Sequence, residues 1–161
     1  TKVTFGVEPH YYDWDGNQVG DGPLPPKVGK TTKFRIYVLI SNTTSDVENA
    51  TVTIDLPQGV AWTGNSKTSI GHMTFDSGRI KWDIGSIKAH SGTLISRVEA
   101  SFDLGITPTA GQIGQYVPLV EVAIFAGKDG FTGRDIKEII NVVDSNLEKD
   151  EKAKGKGKVE P

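Results

Sequence analysis

Hydrophobic and polar residues alternate with a period of two along most of this chain. In residues 31–42, Phe34, Ile36, Val38 and Ile40 share one face, while Lys33, Arg35 and Tyr37 share the other. Successive side chains of a strand point to opposite faces of a sheet, so the pattern predicts a half-buried strand. Leu39, on the polar side, implies that part of the outer face is covered too. Residues 49–57 repeat the pattern, with Ala50, Val52, Ile54 and Leu56 inward against Thr51, Thr53 and Asp55. Residues 72–76 and 79–85 flank Ser77-Gly78 and predict a hairpin in which Met73 and Phe75 face Ile80, Trp82 and Ile84. Residues 93–104 carry Val98, Ala100, Phe102 and Leu104 on one face, and residues 116–127 place Val120, Val122 and Ile124 together. A first strand is expected over 3–12 and a brief one over 59–64.

In residues 134–143, Ile136, Ile139, Ile140 and Val143 also fit a helical spacing. β-branched residues dominate there and a turn-rich connection precedes them, so a last strand is expected. Short strands with turn signals about every ten residues predict an all-β sandwich with Greek-key connections, of about seven to nine strands. Its expected core includes Phe34, Ile36, Val38, Val52, Ile54, Trp82, Phe102, Val122 and Ile124, with Trp62 also inside. Residues 1–146 read as this domain. Residues 147–161 are rich in Lys and Gly and show no apolar face, so they read as a flexible linker or tail that buries too little to offset its ordering entropy.

Residues 22–29 hold Pro23, Pro25 and Pro26. Proline fixes its own backbone and pushes the preceding residue to extended conformations. Such a stretch suits a crossing between sheets or a domain edge where pairing stops; the PxxP spacing of Pro23 and Pro26 would also suit an aromatic groove.

Composition narrows the function classes. The 161 residues suffice for one domain with a real core, and 19 glycines and 8 prolines suit many turns. A net charge of −2, with both signs mixed, excludes a basic nucleic-acid face. The absence of cysteine removes disulfides, thiolate metal sites and thiol nucleophiles. No apolar run approaches the ~18 residues of a membrane span. The start at Thr1, without a signal-peptide core, reads as a mature or excised piece of a longer protein.

Three motifs carry a resemblance: Asn42-Thr43 closing a strand, Leu56-Pro57-Gln58-Gly59-Val60, and Trp82-Asp83-Ile84-Gly85 leading to Ser91-Gly92. With residues 22–29 and the turn at 129–133, they resemble the "conserved repeat", or DUF-eleven, domains of prokaryotic surface proteins, over most of residues 22–142. The resemblance implies an immunoglobulin-like sandwich set in tandem on secreted, surface-layer or adhesive proteins, and no catalytic residues. The expected role is a non-enzymatic structural or adhesive module of a bacterial or archaeal cell-surface protein, one repeat of a longer stalk, surface layer or filament. Its expected partners are neighbouring repeats or other surface proteins, and its location extracellular. The terminal first strand is the expected element for exchange or edge pairing.

Residues 11–22 hold the candidate sites. Asp13, Asp15, Asn17 and Asp21 offer oxygen ligands at alternating positions, as calcium loops do, although Gly16 comes early and no glutamate closes the loop. The same residues also suit a hydrogen-bonded polar turn. Tyr11, Tyr12 and Trp14 adjoin them and would stack on a sugar ring, making a carbohydrate-binding module the alternative role; they would equally cover a strand end. Hydrolytic motifs are absent, and His10, His72 and His90 are far apart. A Lys33–Asn141 crosslink and glycosylation at Asn42 or Asn49 are further options.

Overall fold

The computed structural model describes residues 1–161 as two antiparallel sheets packed face to face, with a short ribbon beside them. In chain order the strands are β1 (Val3–His10), β2 (Thr32–Asn42), β3 (Val47–Asp55), β4 (Val60–Thr68), β5 (His72–Asp76), β6 (Arg79–Ile87), β7 (Val98–Ile106), β8 (Pro118–Val120), β9 (Val122–Asp129), β10 (Asp135–Ile140) and β11 (Val143–Asp144). One sheet has the order β1-β2-β7-β4, the other β10-β9-β3-β6-β5, and β11 pairs with β8. The chain steps back and forth between the sheets, which is the Greek-key, immunoglobulin-like sandwich expected from the alternation. The expected last strand forms over Asp135–Ile140, and none of residues 134–143 is helical. No helix is long and apolar enough to cross a membrane.

The core follows the period-two pattern closely. Phe34, Ile36, Val38 and Ile40 of β2, with Ala100, Phe102 and Leu104 of β7, meet Val52 and Ile54 of β3 and Ile80 and Trp82 of β6. The repeat-type motifs fix corners of this core. Buried Asn42 donates to the carbonyls of Ser45 (2.7 Å), Lys88 (3.3 Å) and Ile87 (3.4 Å). Trp82 donates its indole N–H to the Ile70 carbonyl at 2.9 Å. Gly71 runs so close to the Asp83 carbonyl that no side chain fits.

Four expectations are corrected. First, β9 turns Ala123 and Phe125 inward, and Val122 and Ile124 are only half-buried. Glu121, between β8 and β9, donates its N–H to Asp55 (2.8 Å) and adds one residue between Val120 and the next inward position, which inverts the alternation. Second, Trp62 is half-buried, stacked on Phe75 at 5.4 Å where β4 meets the edge hairpin, rather than enclosed. Third, the proline stretch leads from β1 to its own neighbour β2 and crosses nothing. Pro26 is buried and its carbonyl accepts the Glu160 N–H (2.8 Å), so the stretch ends pairing at a domain edge and is closed to an aromatic groove.

The fourth correction concerns residues 147–161, expected as a solvated linker. Leu147, Ala153 and Val159 are buried in the core cluster, and the segment bridges Ile113, Tyr116 and Lys27. Polar groups hold it there. Ser145 Oγ accepts the Val117 N–H (2.8 Å) and donates to the Gly157 carbonyl (2.7 Å). Buried Asp150 accepts the N–H groups of Tyr11 (2.7 Å), Tyr12 (2.8 Å), Ala153 (3.0 Å) and Lys152 (3.1 Å). A side chain on Gly157 would collide with the Ser145 carbonyl.

Two stability measurements check this reading. Ile54→Ala should cost about 2–5 kcal/mol in urea denaturation, through lost burial and an unfilled cavity. Gly157→Ala should cost about 1–3 kcal/mol by displacing the C-terminal segment, whereas Lys154→Ala, on an exposed neighbour, should stay within about 0.5 kcal/mol. A Gly157→Ala protein as stable as the parent would mean the segment contributes nothing to the fold.

Candidate functional site

The outer face of the four-stranded sheet carries the polar side of the alternation. His10 of β1 lies opposite Arg35 of β2, Arg35 opposite Asp103 of β7, and Ser101 of β7 opposite Lys67 of β4. Antiparallel partners share a face, so these side chains form one surface. The loop after β1 folds back over it. Trp14 packs 4.6 Å from the Tyr37 ring and 4.7 Å from the His10 ring, with the Arg97 guanidinium 5.4 Å from its own ring. Beneath it, His10 is buried; Nδ1 donates to the Tyr12 carbonyl (2.9 Å), and Nε2 faces the Glu8 carboxylate at 3.2 Å. Trp14 itself stays 52% exposed.

Arg35 pairs with Asp103 through two hydrogen bonds of 2.8 and 3.3 Å, and Asn65 donates to the same carboxylate at 2.6 Å. That pairing raises the Arg35 pKa above its ordinary value. Burial pushes the Tyr37 phenol up as well, keeping it neutral. Beside Tyr37 lies a cleft of about 210 Å³ lined by Arg35, Tyr37, Lys67, Ser69, Glu99 and Ser101. Trp14 and His10 line an adjoining depression of about 410 Å³ with Asp13 and Lys152.

The sequence candidates separate on this surface. Tyr11 is core: it is buried, its hydroxyl donates to Gly22 (2.6 Å), and its ring meets Phe34 edge-on. Tyr12 is half-buried under the Lys152 ammonium, 4.6 Å from its ring. Trp14 remains the exposed aromatic. The structure adds Tyr37 and Arg35, which the sequence reading left on the polar face of their strand, and Arg97 and Lys67, which it did not single out.

The four oxygen-bearing residues do not converge. Asp13 accepts the N–H groups of Asn17 (2.8 Å) and Asp15 (3.0 Å), which ties the loop into a turn. Asp21 sits elsewhere, paired through its backbone with Lys33. Nowhere do three histidine or acidic side chains gather as a metal cage. Lys33 of β2 and Asn141, between β10 and β11, are both exposed, with no hydrogen bond between them. Asn42 is buried and closed to glycosylation, while Asn49 is exposed. His72 is exposed on edge strand β5, and His90 forms a turn with positive φ.

The fold can now be compared with known proteins. The major pilin subunit BcpA of Bacillus cereus aligns with TM-score 0.51 and 11% identity, over 89% of this chain and 39% of the pilin. A variant of that pilin aligns at 0.52 and 10%, over 89% and 40%. An exo-β-N-acetylglucosaminidase of Vibrio harveyi aligns at 0.42 and 9%, over 86% and 18%, too loosely to carry an argument. The chain spans well under half of the pilin it matches, and at such identity the likeness shows the fold. No protein-family model matches the sequence, and no curated protein does.

Charge on the loops gives a pH dependence. Backbone N–H donation from Asn17 holds Asp13 below its ordinary 3.8. Backbone donation from Ala89 does the same for Asp46, and the Thr1 amine followed by the Thr132 and Phe131 N–H groups for Asp129. Carboxyls depressed in the folded state stabilise it fully above the unfolded pKa, and that stability is lost as pH falls toward the folded value. The urea midpoint should therefore drop on acidification below about pH 4, and Asp129→Asn should lower the midpoint at pH 7 while flattening the acid limb. An acid limb as steep in Asp129→Asn as in the parent would exclude Asp129 as a contributor.

Proposed function

We propose that this chain is a non-enzymatic structural module of a bacterial or archaeal cell-surface protein, one unit of a longer stalk, surface layer or filament. The observation that carries the reading is the placement of Thr1 and Glu160 at opposite ends of β2. Thr1 lies where β2 closes: its amine donates to Asp129 (2.8 Å) and its hydroxyl to Asn42 (2.6 Å). Glu160 exchanges backbone hydrogen bonds with Pro26 (2.8 Å) and Val28 (3.1 Å), just before β2 begins at Thr32. Neighbours joined at these two residues would leave from opposite ends of that strand.

Two further observations support it. Buried polar side chains are spent on fixing main chain: Thr32 on Pro23, Asn42 on its turn, Ser145 and Asp150 on the C-terminal segment. The sandwich is also similar in fold to that of a major pilin subunit. Neighbouring repeats or other surface proteins are then its partners, outside the cell.

Immunolabelling of intact source cells with antibody to this domain tests the reading. Labelling without lysis, with release of the antigen by external protease, is expected. Antigen detected only after lysis would sink it.

A further inference from the structure

We propose that the surface around Trp14 and Tyr37 binds an acidic saccharide, with one ring bearing an anionic group seated in the cleft between β2, β7 and β4. The inference stands apart from any stalk role, since it rests on surface side chains and not on the placement of Thr1 and Glu160. A large aromatic held rigidly at the surface offers a flat apolar face at little entropic cost, and the C–H faces of sugar rings stack on such groups. Trp14 is 52% exposed yet fixed by the rings of His10 and Tyr37.

The adjoining cleft matches a sugar in size and in polar groups. At about 210 Å³ it falls below the roughly 300–1,000 Å³ of drug-sized sites and accommodates a single ring. Ser69, Ser101 and Glu99 offer hydroxyl and carboxylate partners for ring hydroxyls. The charges select the ligand. Arg35 is committed to Asp103 at 2.8 Å and Arg97 to Glu99 at 3.0 Å, whereas Lys67 on the cleft wall has no ion-pair partner. An anionic group on the ring would supply one. The depression on which Trp14 also borders, about 410 Å³ and lined by Lys149 and Lys152 as well as Asp13 and Glu151, gives room for a second unit of the same glycan, whose hydroxyls these groups would meet.

A peptide fits this face poorly. Its floor is β2 and β7, each hydrogen-bonded to strands on both sides, so no backbone edge is free for strand addition. Most of the lining residues are polar, and Tyr37 and Ala100 are the hydrophobic ones, too few to make a row of side-chain pockets.

Calorimetric titration of trigalacturonate and of neutral maltotriose into the whole chain tests the proposal. Trigalacturonate should bind, with maltotriose about tenfold or more weaker, because a charge-assisted contact is lost. Lys67→Gln should bring the two sugars to the same weak affinity, Trp14→Ala should abolish binding, and Trp14→Phe should retain most of it. Thermal melting of each variant separates lost binding from lost folding. If Trp14→Ala does not fold, Lys67→Gln, altered only at an exposed side chain, decides. Equal affinity for both sugars, no binding at millimolar concentration, or binding unchanged by Lys67→Gln would overturn the proposal. So would a displayed peptide that captures the Trp14 face when no saccharide does, since it would assign the surface to a protein partner.

Discussion

Backbone N–H groups that leave the strand ladders must find acceptors, and in this protein short polar side chains supply them. A sandwich of short strands has many ends, and each end strands donors that cannot stay buried and unpaired. Asp13 closes the first long loop, Asp46 takes the Ala89 N–H (2.8 Å), Asp129 closes the tip of the last hairpin, and Asp150 seats the C-terminal segment on Tyr11 and Tyr12. The demand explains the character of the surface. Each of these carboxylates accepts main-chain N–H groups where the strands end.

The strands were legible wherever one face is buried, because burial imposes the period. Residues 34–40, 50–56 and 98–104 show it without interruption, and the structure keeps their faces. Glu121 defeats the same logic with a single inserted residue, since a period of two cannot reveal where its phase changes. The C-terminal segment was illegible for another reason. Leu147, Ala153 and Val159 are buried singly, six residues apart, in irregular chain whose position is set by Ser145 and Asp150. Composition averages over such sparse anchors and sees only the lysines between them.

The surface site divides the same way. Trp14 stood out as an aromatic in a polar loop, but of its companions only His10 is near in sequence; Tyr37 comes from a strand more than twenty residues away. Tyr37 and Arg35 carried a faint signal, lying on the polar face of a strand whose Leu39 hinted at cover. Which strands would lie beside β2, and so bring Glu99 and Lys67 to Tyr37, depends on sheet order rather than on any local pattern. Tyr11, which local reasoning grouped with Trp14, packs inward against Phe34 instead, because the chain bends after β1 and enters a turn at Trp14.

The opposed placement of the two ends has a mechanical consequence. Tension applied between them acts on β1 along its own axis, and its eight paired residues, from Val3 against Asn42 to His10 against Arg35, resist together in shear. A strand pulled sideways unzips one hydrogen bond at a time; a strand pulled lengthwise yields only when many break at once. At the far end, Val159 and Glu160 lie in parallel bridges with Ile113 and Lys27, so the closing segment is also drawn along its partners rather than peeled from them. The ordered C-terminal segment thereby carries the pull into the body of the sandwich.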